Sequence, residues 1–241
     1  MKNQPLIIHQ DEDVVIINKP ANYLSIPDRF KPDLPNIQQF LKTKFGQIFT
    51  VHRLDRETSG IMIFARHDIA HKELSTQFEN RIVEKIYLAL TSGNIHNEED
   101  IIEKAIGKHP AIPGKMIVTK KGKLSVSAYK VIERFKHYTL VEVNIKTGRT
   151  HQIRVHMQAL GYPLAVDPLY SKKEAFFLSE VKGKKYKKQR DEEERPLISR
   201  CTLHAYKLSF DHPTSGERLT FTTEVPKDFS ALLKQLRKWG S

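Results

Sequence analysis

The sequence predicts an α+β fold with a mixed, mostly antiparallel central sheet and flanking helices. Three observations predict it. Runs rich in β-branched residues outnumber helical stretches, several of those runs are joined by turns too short for a crossover, and no regular βαβ alternation or glycine-rich phosphate loop appears. The chain has 241 residues, 39% of them hydrophobic, enough to bury a core. It reads as one domain, 1-241.

The elements follow in order. Asp13 to Asn18 is a β-branched run closed by Lys19-Pro20, a strand and then a turn. Ile48 to Val51 is a short apolar run, and Gly60 to Ala65 reads as a fully buried strand. Ile69 to Arg81 carries Leu74 and Phe78 at helical spacing. Lys85 to Thr91 is a strand, with Lys85 and Tyr87 on one face and Ile86, Leu88 and Leu90 on the other. Ser125 to Phe135 and Tyr138 to Lys146, split by Lys136-His137, form an antiparallel hairpin. His151 to Leu160 is a short helix after a polar turn, with Thr150 as its N-cap. Leu203 to Phe210 and Arg218 to Glu224 flank His212-Pro213-Thr214-Ser215-Gly216, a second hairpin. After Pro226, Phe229, Leu232, Leu233 and Leu236 form the stripe of an amphipathic helix.

A charged stretch over 172-196 interrupts this pattern. It contains a basic run from Lys182 to Arg190 and an acidic run from Asp191 to Glu194. The charge run from Lys182 to Pro196 reads as a solvated loop, with contact to an RNA backbone as the alternative.

Charge narrows the partner. Lys+Arg 40 against Asp+Glu 28 gives a formal +12, with a pI near 9.6. That balance points to a polyanion, nucleic acid before membrane, because no basic amphipathic helix with a bulky apolar face stands out. No apolar run approaches a membrane span, and Leu6-Ile7-Ile8 is too short for a signal peptide. One cysteine, Cys201, leaves no internal disulfide framework and fits a reducing cytoplasm.

Three constellations can carry chemistry. In His52-Arg53-Leu54-Asp55-Arg56-Glu57-Thr58-Ser59-Gly60 a carboxylate lies between two arginines in a loop feeding a central strand. Flanking positive charge favours its ionised form, a nucleophile or base, although a surface ion-pair cluster has the same local sequence. In Lys146-Thr147-Gly148-Arg149-Thr150-His151-Gln152-Ile153-Arg154-Val155-His156, basic and hydrogen-bonding side chains gather near a helix start, which suits phosphate. His151 and His156 stand five apart with no glutamate between them and no CxxC elsewhere, so no metal is expected. In Lys85-Ile86-Tyr87, a phenol on one strand face can stack on a base or pass a proton, or serve only as a half-buried structural tyrosine.

Together these segments resemble the RluA family of pseudouridine synthases. His52-Arg53-Leu54-Asp55 with Thr58-Ser59-Gly60 resembles its catalytic motif, Lys85-Ile86-Tyr87 its tyrosine strand, and Thr147 to His156, continuing through Leu160-Gly161-Tyr162-Pro163 to Asp167-Pro168-Leu169-Tyr170, its third motif. Asn18-Lys19-Pro20, Leu203-His204-Ala205 and His212-Pro213 match in the same order, over roughly 6-230. The chain departs from the pattern at Asn22, where a glycine is usual and a left-handed backbone must be tolerated. It departs again at Val166, in place of a glycine before Asp167, and in the length of the 172-196 stretch. The small N-terminal RNA-binding domain of many members is expected to be absent.

The resemblance implies isomerisation of uridine to pseudouridine in structured RNA, ribosomal or transfer, with the target base of a stem-loop flipped into a cleft. It implies Asp55 as catalytic nucleophile or ribose-proton base, Arg154 as the guanidinium that pairs with it, and Tyr87 packed on the target base. Arg53 would fill the vacated stack, with His52, Arg149, His151 and Gln152 as further RNA contacts. An isomerisation needs no cofactor and no metal, and a monomer is the family default. Two rivals remain: a non-catalytic RNA-binding or ribosome-assembly factor on the same fold, and a hydrolase using Asp55 and Glu57 as a carboxylate pair.

Overall fold

The computed structural model describes residues 4–187 and 193–240. Their contacts form two compact units. The first takes the residues up to Tyr87 together with His204–Glu224, and the second takes Leu88–Leu203 together with the residues from Val225 onward. The sequence predicts one domain over 1-241, and the contacts divide into these two packing units.

Along the chain the elements are β1 (Leu6–Gln10), β2 (Val14–Lys19), α1 (Ile37–Phe45), β3 (Phe49–Thr50), β4 (Ser59–Ala65), α2 (Asp68–Glu79) and β5 (Glu84–Ser92). There follow β6 (Glu99–Glu103), β7 (Ile106–Lys108), β8 (Met116–Val118), β9 (Val126–Arg134), β10 (Tyr138–Ile145) and α3 (Gln152–Ala159). The last are α4 (Leu178–Lys182), β11 (Leu203–Asp211), β12 (Arg218–Thr222) and α5 (Lys227–Trp239).

In the first unit the strand order is β1-β2-β4-β11-β5, with β3 on β4 and β12 on β11. β1, β2 and β4 are successively antiparallel, whereas β4 and β11 run parallel through His204↔Ser59 and Ala205↔Gly60. The sheet is mixed and mostly antiparallel, as expected. Every residue of β4 is buried, as its uninterrupted apolar run predicts for a strand covered on both faces. Val14, Ile16, Ile61, Ile63, Leu208 and Phe210 form the core there, with Leu74 of α2 packed on it.

In the second unit β10, β9 and β6 are successively antiparallel. Phe135 N donates to Tyr138 O across the two-residue turn at Lys136-His137. Phe229, Leu232, Leu233 and Leu236 of α5, the stripe read from sequence, are its buried residues and join Leu90, Leu140 and Phe176 in one core.

Four local differences from the sequence reading have physical causes. α1 is an additional helix, capped by Asn36, whose Oδ1 accepts from Gln39 N at 2.8 Å. β6 is an additional edge strand, too rich in charge to read as one. The N-cap of α3 is His151, not Thr150, held in a left-handed conformation at φ 56° with no side-chain cap bond. In the 172-196 insertion, the part ahead of the charge runs is structured: Phe176 is fully buried, it bridges to Ile198, and α4 lies between them. The 188–192 part of its charged runs lies outside the described residues. Among the described residues no helix is long and apolar enough to cross a membrane.

Candidate active site

Asp55 lies in the loop joining β3 to β4, strands that pair antiparallel through Phe49↔Ala65 and Thr50↔Phe64. This loop is pinned at four places. His52 Nε2 accepts from Ile63 N at 3.1 Å. Ser25 Oγ donates to Leu54 O at 2.8 Å and accepts from Leu54 N at 3.0 Å. The carbonyl of Arg56 accepts from Lys19 Nζ at 3.1 Å and from Asn22 N at 2.8 Å. Thr58 N closes the turn onto Asp55 O at 3.1 Å. A carboxylate whose neighbours on both sides, Leu54 and Arg56, have anchored backbone keeps its position without paying ordering entropy at the moment of reaction.

Lys19 is the unexpected member. It is fully buried and donates to the carbonyls of Pro20, Tyr23 and Arg56. A buried ammonium is tolerated only where oxygens replace its water, and here these carbonyls join the turn after β2 to the Asp55 loop. Asn22 supplies the left-handed residue expected of it, at φ 69°. Gly60, the second residue of β4, has φ +120°, and a Cβ there would sit 2.2 Å from the Ala205 carbonyl oxygen. Only glycine lets β4 and β11 approach at that register.

Tyr87, on β5, belongs to the same unit as Asp55 and is buried. Burial, and then the nearby Asp55 carboxylate, raise its phenol well above the ordinary value, so the hydroxyl stays protonated. His52 has the opposite history: burial, and then the Lys85 ammonium, push its imidazolium down to about 3. The ring is therefore neutral, stacks on Phe78 at 4.9 Å, and uses Nε2 as an acceptor for β4. Lys85 also lies 5.3 Å from the Phe78 ring. Arg53 and Arg56 are exposed.

The second unit carries the other group of expected site residues. Arg154 is 4% exposed and gives a two-pronged bond to the fully buried Asp167, Nε to Oδ2 at 2.7 Å and Nη2 to Oδ1 at 2.9 Å. Asp167 Oδ1 also accepts from Leu169 N and Tyr170 N. Tyr170 stacks beneath the guanidinium at 5.0 Å, and its hydroxyl meets His151 Nδ1 at 2.8 Å. Asp167 and Tyr170 were legible only as members of a motif. Neither their burial nor their grip on Arg154 is visible in local sequence.

Gln152 requires a correction. It is 3% exposed and its amide is fully used: Oε1 accepts from Thr147 Oγ1 and Arg149 N, while Nε2 donates to Val126 O and Ser127 Oγ. Its role is to fasten the start of α3 to β9, which leaves no capacity for the expected RNA contact. Arg149 is exposed and His151 half-buried. His156 is fully buried between Ser127 Oγ and Lys104 O, apart from the partner of His151.

A second cluster lies at the β1–β2 turn, where Asp11 and Asp13 meet His9, His67 and His212. His67 Nδ1 accepts from Ala70 N, and His212 Nδ1 accepts from Thr214 N and Ser215 N. Both rings must then carry their proton on Nε2, the atom facing the carboxylates. This is a clasp of N–H donors on carboxylates, with the nitrogen lone pairs a metal would need turned away.

The family model described as RNA pseudouridylate synthase matches residues 13–159. The chain is 35% identical over 242 residues to an uncharacterised RNA pseudouridine synthase, YlyB, of Bacillus subtilis, covering 97% of this chain and 73% of that one. It is 36% identical to the ribosomal large subunit pseudouridine synthase D of Pseudomonas aeruginosa, covering 96% of this chain and 72% of that one. Among solved structures it is similar to human RNA pseudouridylate synthase domain containing 1, at TM-score 0.70 and 26% identity, covering 97% of this chain and 95% of that one.

Proposed function

The chain belongs to the RluA family of RNA pseudouridine synthases, and from that premise we propose that Asp55 is the carboxylate with which it isomerises uridine in RNA. The observation that carries the proposal is the multiply anchored Asp55 loop with the protonated phenol of Tyr87 beside it.

The reaction breaks the bond from C1′ of the ribose to N1 of uracil, rotates the base, and joins C1′ to C5. N1 gains a proton and C5 loses one, so atoms and electrons balance without an external group. Asp55 acts as nucleophile, or as the base that removes a ribose proton. Tyr87 supplies a stacking surface and a hydroxyl that can donate. A phenol held protonated by burial and a neighbouring carboxylate is poorly suited to act as a base. Arg154 completes the catalytic set by resemblance, and its fixed guanidinium, held by Asp167 and Tyr170, supports that assignment.

The target base must leave its stack to react, which costs a few kcal/mol and least in a loop. Exposed Arg53 is assigned to fill the vacated space, and exposed Arg149 with His151 to hold the backbone. His52 serves by positioning the loop from beneath. We take a ribosomal RNA stem-loop as the first substrate to test, following the P. aeruginosa relative's name, with transfer RNA second. The protein is proposed to act as a monomer, without metal or cofactor, in the cytoplasm.

Tritium release from RNA labelled at C5 of uracil tests the chemistry. Asp55→Asn should bind RNA like the parent and release nothing, and measurable release from the purified variant would overturn the assignment. Tyr87→Phe should lose about tenfold or more in turnover with its RNA affinity kept. Unchanged turnover would leave Tyr87 with stacking alone.

A further inference from the structure

Residues 180–185 and the end of α5 build a basic site within the second unit. A cavity of about 400 Å³ lies between α4, the β9–β10 turn and the last turn of α5. Lys136, His137, Lys182, Lys184, Lys185 and Trp239 line it. The ammoniums of Lys182, Lys185 and Lys238 lie 5.2, 5.8 and 5.2 Å from the centroid of the single Trp239 ring. Each gains something from the indole face, but three like charges around one ring repel one another. The one carboxylate in the lining, Glu180, is bonded to Lys173. Among the described residues no ion pair joins Lys136, Lys182, Lys184, Lys185 or Lys238 to a carboxylate.

Ordinary structural causes account for part of this. Lys182 and Lys238 stand in the last turns of their helices, where cations balance the carbonyl ends. That does not account for Lys136, which comes from the β9–β10 turn and whose N donates to Gly240 O, fixing the turn against the end of α5. Surplus positive charge converging from three segments on a half-exposed aromatic ring is the chemistry that single-stranded nucleic acid recognises: phosphates on ammoniums, a base face on an indole.

We propose that this cavity is an accessory RNA-binding site that holds the phosphate backbone of an unpaired segment, with Trp239 as its stacking platform. The inference rests on RNA being the substrate, and it assigns binding but no chemistry to the site.

Trp239 is the chain's only tryptophan, so its emission reports on the site alone. Titrating the full chain with a short single-stranded RNA of mixed sequence should change that emission. The triple variant Lys182→Gln/Lys185→Gln/Lys238→Gln should bind the fluorescein-labelled RNA about tenfold more weakly, with a slope of log affinity against log salt shallower by about 2, from ~0.7 per lost phosphate contact. These are surface changes, so melting temperature should hold, and turnover at saturating RNA should match the parent. No emission change at saturating RNA, or a triple variant with the parent's affinity and salt slope, overturns the proposal. So does an equal emission change with inorganic phosphate alone, or with phosphatidylserine vesicles and not with RNA. If the parent binds RNA as described but releases no tritium, the catalytic reading fails and this one stands.

Discussion

At the scale of single residues, the candidate site depends on protonation states that burial sets. His52 is the clearest case. The folded chain keeps its imidazole neutral down to about pH 3, whereas the unfolded chain takes up a proton near 6.5. Between those values the unfolded state binds more protons, so stability must rise with pH. The contribution is complete above pH 6.5, falls as the solution is acidified, and levels off below about pH 3. His52→Gln can still offer an acceptor to Ile63 N but does not titrate. Its deficit relative to the parent should therefore shrink, by up to about 2 kcal/mol, between pH 7.5 and pH 5. Urea midpoints across that range check it, and a constant gap would show that the ring is not held neutral. Residue identity alone could not have revealed this. The motif places His52 among the expected RNA contacts, and only the fold turns it inward onto Phe78 and β4.

At the scale of elements, period and turn chemistry made most strands legible, because β4, β5, β9, β10 and β11 carry uninterrupted or alternating apolar runs. α5 was legible from its stripe. α1 was not, although its signals were present: Asn36 three residues before Gln39, Ile37 and Leu41 four apart, and Gly46 at φ 72° as the stop. The order of motifs singles out Asp55, Tyr87 and Arg154 as the proposed set, whereas Lys19, Ser25 and Asp167 act through long-range bonds that no local pattern encodes. Gly60 stands between these cases, since the sequence marks a turn and the structure marks a contact. Gly60→Ala must meet Ala205 backbone in a conformation L-residues avoid, and should cost about 3 kcal/mol or more. Gly148→Ala, exposed and with nothing within 4 Å of its Cβ, should change stability by no more than about 0.5 kcal/mol. Melting temperatures of the pair decide the matter. Equal values would mean that β4 and β11 do not need their close approach.

At the scale of the whole molecule, the dominant quantity is charge. A formal +12 at neutral pH is an attraction toward RNA and a self-repulsion within the fold. Acid sharpens the second effect: the eleven histidines, added to +12, bring a fully exposed chain to about +23 before any carboxylate is protonated. In the folded state burial lowers the pKa of both His52 and His156, so those two resist the added charge and the fold loses ground to the unfolded chain. Salt should therefore act in opposite directions on the two properties. At pH 5.5, raising sodium chloride from 0.05 to 0.3 M, about a halving of the screening length, should raise the melting temperature by damping repulsion. The same change should weaken RNA binding, with a slope of about −0.7 for each phosphate held. Differential scanning fluorimetry and anisotropy on one salt series measure both. If stability and affinity fell together, the positive charge would be compensated inside the fold and not held ready for a polyanion, and the link between composition and substrate would fail.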